Sequence, residues 1–285
     1  MGVEATPSAR AAVVWAADEA DRRRLPLRLV SALDWPADAD RDPAERQPTQ
    51  TWRRLFEDPG RRALAETRAL AVGLHPALRV EEALVDGAPA DVLRAEARTA
   101  SMVVLGSRGL SSLRELMTTG GIAVPVVAHA PCPVVVVRAP EPVSGVAETI
   151  VVGVDGSELS KHAMAFAFEE ASLRGAEVLA VHVRNPHPGS VASAAADADE
   201  IREGRHRLKE ALTGYHEKYP GVTARREVAL GHPVRVLVRE SEHALFLAVG
   251  TRGLGGFRGM LLGSVSYGVL HHAHCPVAVL PPGRT

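Results

Sequence analysis

The sequence predicts an α/β protein of two tandem, doubly wound domains, each a parallel sheet with helices on both faces. Three observations lead there. The chain repeats itself in four matched blocks, its strand-like segments are short continuous apolar runs, and those runs alternate with helical stretches. A run that is apolar on both sides suits a parallel strand covered on two faces. Regular strand–helix alternation implies right-handed crossovers into one sheet.

The repeat is the stronger signal. MVVLGSRGLSSLRELMTTGG from Met102 corresponds to FLAVGTRGLGGFRGMLLGS from Phe246. HAPCPVVVVRAP from His129 corresponds to HAHCPVAVLPP from His272, and Val85-Asp86-Gly87-Ala88-Pro89 to Ala229-Leu230-Gly231-His232-Pro233. The starts correspond as well, GVEATPSARAAVVWAADEA from Gly2 with GVDGSELSKHAMAFAFEEA from Gly153. The order is the same in both copies, which makes them a duplication with domains at 1–138 and 149–282.

The second copy gives the element order. Ile150 to Val154 is a buried strand, and Ser157 to about Leu173 a helix, with Ser157 as N-cap and Gly175 as stop. Val178 to Val183 is the next strand. One alanine-rich helical stretch, Ala192 to Tyr219, precedes a strand over Val222 to Leu230. A helix opens at Pro233, Leu245 to Val249 is a strand, and a glycine-rich loop leads to a further helix. Pro276 to Leu280 is the last strand. Pro140 to Glu148 reads as the linker and Pro36 to Pro48 as an exposed loop. The first copy has a shortened opening strand, because Met1 stands midway through the segment matching Ile150 to Asp155. Either a misassigned start codon or a tolerated short central strand accounts for it.

Composition narrows the function. The 285 residues, 46% of them hydrophobic and 24% charged, can fill two cores, and a net charge of −1 gives no general pull toward nucleic acid or anionic membrane. Two cysteines far apart in sequence, Cys132 and Cys275, make no disulfide framework and suit a reducing cytosol. No secretory leader pattern opens the chain, and no apolar run reaches the ~20 residues of a membrane span.

The chemistry-bearing segment is the loop from Gly250. Gly250-Thr251-Arg252-Gly253 ends a strand, nine residues follow, and Gly263-Ser264 opens a helix. Glycines give unusual backbone conformations and close main-chain approach, and helix-start N–H groups hold anions. Ser264 and Ser266 add hydroxyl donors, while Arg252 either charges the phosphates' surroundings or faces solvent. No Gly-Lys-Ser/Thr closes the loop, and it lacks the dinucleotide pattern. Asp155 stands at the carboxyl edge of the sheet, where open α/β sheets bind ligands. There it accepts from a ribose hydroxyl or an adenine amine, or it caps the helix near Ser157, or both.

These features resemble the universal stress protein family over essentially the whole chain. The resemblance rests on Val154-Asp155, Gly231-His232-Pro233 and the signature G-x2-G-x9-G-S/T at Gly250, Gly253, Gly263 and Ser264. It implies a five-stranded, adenine nucleotide alpha hydrolase-like fold. The implied ligand is an adenine nucleotide: ATP, with or without Mg2+, or AMP or ADP. In ATP-binding members the signature wraps phosphates and ribose, roles that fall here to Gly250, Arg252, Gly253, Gly263, Ser264, Val265 and Ser266. The adenine falls by position to Asp155 and Val183. Tandem members pair their domains through the last strands, here Pro133 to Val137 and Pro276 to Leu280. A homodimer and a protein partner are further expectations.

The first copy departs from the signature. Ten residues separate Gly109 from Gly120, Gly121 replaces the serine, Glu4 stands for Asp155, and Ala5 replaces the following glycine. Pro125 is tolerable only if its helix starts close by or kinks. An inserted residue shifts the converging N–H groups, so weak or no binding is expected there.

Other readings are weaker. His271-His272-Ala273-His274-Cys275 resembles a metal cluster, but neighbouring helical side chains diverge and Cys132 repeats Cys275 in a packing position. Ser157 has no nucleophile elbow. The arginines at 22–24 and 53–54 lie among acids, as on a solvated face. Two functions remain: a stress-response regulator that binds ATP through the second domain, with at most slow hydrolysis, or an interaction scaffold whose nucleotide site is vestigial.

Overall fold

Residues 1–3, 7–35, 50–107, 122–138, 148–185, 194–255 and 261–282 are described by the computed structural model. The chain divides into two units, Met1–Ala139 and Pro140–Thr285. The expected loop over Pro36 to Pro48, the stretch around Glu4 and Ala5, and nearly all of the linker lie outside the described residues.

In the first unit α1 (Pro7–Arg23) leads to β1 (Leu27–Leu33), and α2 (Gln50–Leu74) to β2 (Val80–Asp86). Then follow α3 (Pro89–Glu96), β3 (Val103–Ser107), α4 (Ala123–His129) and β4 (Val134–Arg138). β1 pairs in parallel with β2, and β3 with β4. The three residues Met1, Gly2 and Val3 join the two pairs. Val3 donates its N–H to Val30 O (2.8 Å), Val30 donates to Met1 O (2.9 Å), and Gly2 donates to Val104 O (3.1 Å). These residues are therefore central, as their place in the repeat requires. Pro125 sits in the first turn of α4, where a proline's missing N–H costs no helix bond.

The second unit has β5 (Thr149–Gly153), α5 (Glu158–Arg174), β6 (Glu177–Arg184), α6 (Ala194–Leu212) and α7 (Tyr215–Lys218). β7 (Ala224–Leu230), α8 (Pro233–Ser241), β8 (Ala244–Gly250), α9 (Ser264–His272) and β9 (Val277–Leu280) complete it. Its five strands are all parallel in the order β9-β8-β5-β6-β7. Helices α5 and α6 cover one face, and the mutually packed α8 and α9 the other. Ile150, Val152, Val178, Val181, Phe246, Leu247 and Ala248 are buried, which explains why these strands read as unbroken apolar runs. Each large side chain so buried contributes roughly 1.5–3 kcal/mol over its exposed state.

Helix limits follow local chemistry. Ser157 caps α5 by accepting the Ser160 N–H, and Gly175 ends the helix in the left-handed conformation at φ 66°. The single helix expected from Ala192 to Tyr219 is instead two, broken at Gly214 with φ 88°. That turn brings the Tyr215 ring onto Phe168, with centroids 4.8 Å apart, and lets the Tyr215 hydroxyl donate to Lys161 O at 3.2 Å. Tertiary packing here overrides a good helical composition.

Corresponding turns in the two copies share one geometry. Gly87 has φ 133° and Gly231 φ 139°, each two residues before the proline that opens a helix. A side chain is strained there whatever space surrounds it. Gly87→Ala and Gly231→Ala should each lose about 1 kcal/mol or more in urea denaturation. Gly73→Ala, in open space within the last turn of α2, should instead be neutral or stabilise by up to about 1 kcal/mol. Equal losses at all three sites would refute the conformational argument.

Candidate functional site

In the second unit the chain runs outward from β5 to β6 and β7, then returns on the other side of β5 through β8 and β9. The β5/β8 boundary is thus the switch point of the sheet, and a crevice opens beyond the carboxyl ends of the two strands. A cavity of about 650 Å³ occupies that place. All nine residues singled out in the sequence line it: Asp155, Val183, Gly250, Arg252, Gly253, Gly263, Ser264, Val265 and Ser266.

Asp155 lies two residues past the end of β5, and both of its oxygens are engaged. Oδ1 accepts from the Ser157 N–H at 2.9 Å and from its hydroxyl at 2.6 Å, and Oδ2 accepts from the Leu254 N–H at 2.9 Å. Asp155 therefore does not cap α5 itself; Ser157 does. The carboxylate steadies that cap and ties it to the glycine loop. Burial alone would raise its pKa, but the hydrogen bonds from Ser157 and Leu254 outweigh burial and hold it below the ordinary aspartate value.

The signature glycines serve close approach and not unusual torsion: none of Gly250, Gly253 and Gly263 has positive φ. A Cβ on Gly250 would lie 2.7 Å from Leu159 Cβ and 3.0 Å from its carbonyl carbon. On Gly253 it would lie 2.3 Å from Asp155 Oδ2, and on Gly263 3.1 Å from Arg252 Cα. Gly156, which follows Asp155, does need its freedom, at φ 92°. Ala5 stands at that position in the first copy, outside the described residues.

The loop closes on itself before α9 begins. Gly263 donates its N–H to Thr251 O at 2.9 Å and is the N-cap of α9, with no side chain capping the helix. The N–H groups of Ser264, Val265 and Ser266 are the first-turn donors that an α-helix leaves without intrahelical partners, and they border the cavity. The Ser264 side chain is exposed there. Ser266 departs from expectation. Its buried hydroxyl lies 2.8 Å from Thr251 O and 2.9 Å from Gly263 O, so its single proton holds the loop and is not offered to the cavity. Arg252 is exposed at the rim.

Sequence reasoning missed Ser160, Asn185, Pro233 and Leu237, which also line the cavity. Asn185 directly follows β6 at the carboxyl edge, a legible position for a polar group. Pro233 and Leu237 are one turn apart on α8, a spacing that puts them on one face. Ser160 gave no separate signal; its hydroxyl donates to Ser157 O and takes the Gly156 N–H. In the first unit, Gly106 and Ser107 end β3 as expected, but the remainder of the degenerate loop, residues 108–121, lies outside the described residues. His271 packs on Tyr267 with ring centroids 4.3 Å apart, and among the described residues no three His, Cys, Asp or Glu side chains could hold a metal ion.

Two outcomes follow for variants. Gly250→Ala forces a methyl against the backbone of α5 and should destabilise the second unit by about 1–3 kcal/mol, measured by denaturant titration. Asp155→Asn keeps one carbonyl oxygen and turns the other into an amide donor, which leaves either the Ser157 or the Leu254 N–H without its acceptor, at about 1–3 kcal/mol near neutrality. Because the Asp155 pKa is lowered on folding, its contribution is complete above the ordinary aspartate value and disappears as pH falls through the lowered one. The stability gap between wild type and Asp155→Asn should therefore be flat near neutrality and narrow in acid; a gap independent of pH would disprove it.

Comparison with known proteins agrees with this architecture. The model of the universal stress protein family matches residues 1–138 and again residues 147–281. Universal stress protein Rv2005c of Mycobacterium tuberculosis is 37% identical, over 98% of this chain and 95% of its own length. Universal stress protein Rv2623 of the same organism is 33% identical, over 98% and 94%. Among solved structures, a universal stress protein from Archaeoglobus fulgidus has a TM-score of 0.70 at 17% identity, over 99% of this chain and 95% of its own, and so shares the fold. Two matches to one family model, each spanning a unit, together with relatives covering the whole length, show that this chain belongs to the universal stress protein family.

Proposed function

We propose that this chain is a stress-response regulatory protein that binds an adenine nucleotide, ATP in the first instance, through its second unit. The observation that carries the proposal is the start of α9, uncapped by any side chain and bordering a cavity at the switch point of the sheet. Three unspent N–H groups and the positive end of the helix suit a phosphate. Gly250, Gly253 and Gly263 let the loop that leads to these groups pack closely against Leu159, Asp155 and Arg252. Asp155, on the same cavity, repels phosphate and accepts from an amine or a hydroxyl. The two ends thus favour one orientation, with phosphates toward α9 and base or ribose toward Asp155. Val181, Val183, Leu237 and Val249 offer apolar wall to the base. A cavity of about 650 Å³ is in the usual range for a ligand of this size.

Catalysis is no part of this reading beyond slow incidental hydrolysis of bound ATP. Mg2+ would accompany the phosphates, and AMP or ADP would use the same base and ribose contacts.

The test is nucleotide released from freshly purified, denatured protein, quantified per chain, with ATP-induced thermal stabilisation alongside. ATP at about a hundredfold excess over its Kd adds about 2.7 kcal/mol to the folded state. About one adenine nucleotide per chain is expected, and an upward shift of several degrees in melting temperature that Gly263→Val and Asp155→Ala abolish. No released nucleotide and no shift at millimolar ATP would leave the scaffold as the function of this fold.

A further inference from the structure

A buried imidazole lies directly behind the cavity wall, on the opposite face of β6 from Val181 and Val183. His182 is 6% exposed, and its Nδ1 lies 2.7 Å from Val154 O. A carbonyl only accepts, so Nδ1 carries the proton; Nε2 has no hydrogen-bond partner among the described residues. Helix α6 passes close above the ring at Gly204, where a Cβ would lie 3.1 Å from His182 Cδ2 and 2.8 Å from a methyl of Val228.

The consequence lies in the main chain. Val178 and Arg184 bond toward β7, through Val178 N–H to Thr223 O and Gly231 N–H to Arg184 O. Val181 O accepts from the Val154 N–H on the β5 side, at 2.9 Å. Strand alternation therefore puts the Val183 N–H on the β5 side too. In a continuing parallel ladder that N–H would bond to Val154 O, but the imidazole takes this carbonyl.

We propose that His182 is a positioning residue for the nucleotide site: its Nδ1–H ends the β5–β6 ladder one rung early and leaves the Val183 N–H to the ligand. The same bond fixes the peptide that leads into Asp155, so one ring sets two neighbouring contacts. This rests on the proposed function, since the Val183 and Asp155 contacts matter only if the base lies there.

The experiment is calorimetric ATP binding to the full chain in wild type, His182→Asn and His182→Leu, with ligand-free melting curves as a check of folding. An asparagine amide can place its N–H where Nδ1–H stands, so His182→Asn should bind within about threefold of wild type. His182→Leu should weaken binding about tenfold or more. Wild-type affinity in folded His182→Leu would overturn the proposal, and so would equal losses in both folded variants, which would mark ring packing as the cause. Should His182→Leu fail to fold, His182→Asn decides alone by keeping or losing affinity. If wild type binds no adenine nucleotide, the proposed function falls. The positioning of the main chain is then read by 15N-edited NMR of the ligand-free chain, where an imidazole protonated on Nε2 and bare on Nδ1 overturns it and the reverse supports it.

Discussion

The Asp155 carboxylate ties together the two segments that make the cavity wall. One oxygen holds the Ser157 turn that starts α5, and the other holds Leu254 in the loop after β8. Those segments are about a hundred residues apart in sequence and belong to different strands, so the sheet alone would leave their separation free to vary. The lowered pKa of Asp155 is the electrostatic trace of the same bonds. The glycine at 253 follows from it: the carboxylate passes so near that backbone that no side chain fits. Gly250 answers to the same packing from the other side, where α5 lies against the end of β8.

The signature works through close packing. Its glycines invite the explanation that the loop needs torsions closed to other residues, yet the three that define it have ordinary φ. What they supply is nearness, to Leu159, to Asp155 and to Arg252. The positive torsions lie elsewhere, at Gly156 beside the carboxylate and at Gly231 before α8. Both kinds of glycine serve the cavity, but substitution harms them by different routes, one steric and one conformational.

Much of this was legible in the sequence because it is local. Apolar runs gave four of the five strands of the second unit, Ser157 and Gly175 gave the limits of α5, and the repeat gave the order of both copies. All nine residues expected at the site do line one cavity. What sequence could not carry depends on contacts distant along the chain. The break at Gly214 is set by Phe168, more than forty residues earlier, and the acceptors of the Ser266 hydroxyl are set by loop closure. His182 is the clearest case. It reads as one polar residue in an apolar strand, and only the position of Val154 O gives it a task.

The first unit joins its two strand pairs through its first described residues. Three residues, Met1 to Val3, bond to β1 on one side and β3 on the other. Side-chain packing adds to these bonds. Met1 and Val3 are buried, and Gly2 has no side chain where the methyls of Leu93 and Leu105 would stand 3.2 Å from a Cβ. Burial of neighbouring apolar surface stabilises such a sheet throughout, while each hydrogen-bonded pair contributes modestly. A ligand site has no such latitude. It needs particular N–H groups converging on one point, as the first-turn donors of α9 do, and so depends on the exact length of the loop before them. Fold and site thus answer to different tolerances, since apolar burial admits many sequences whereas a cradle of N–H groups fixes its loop.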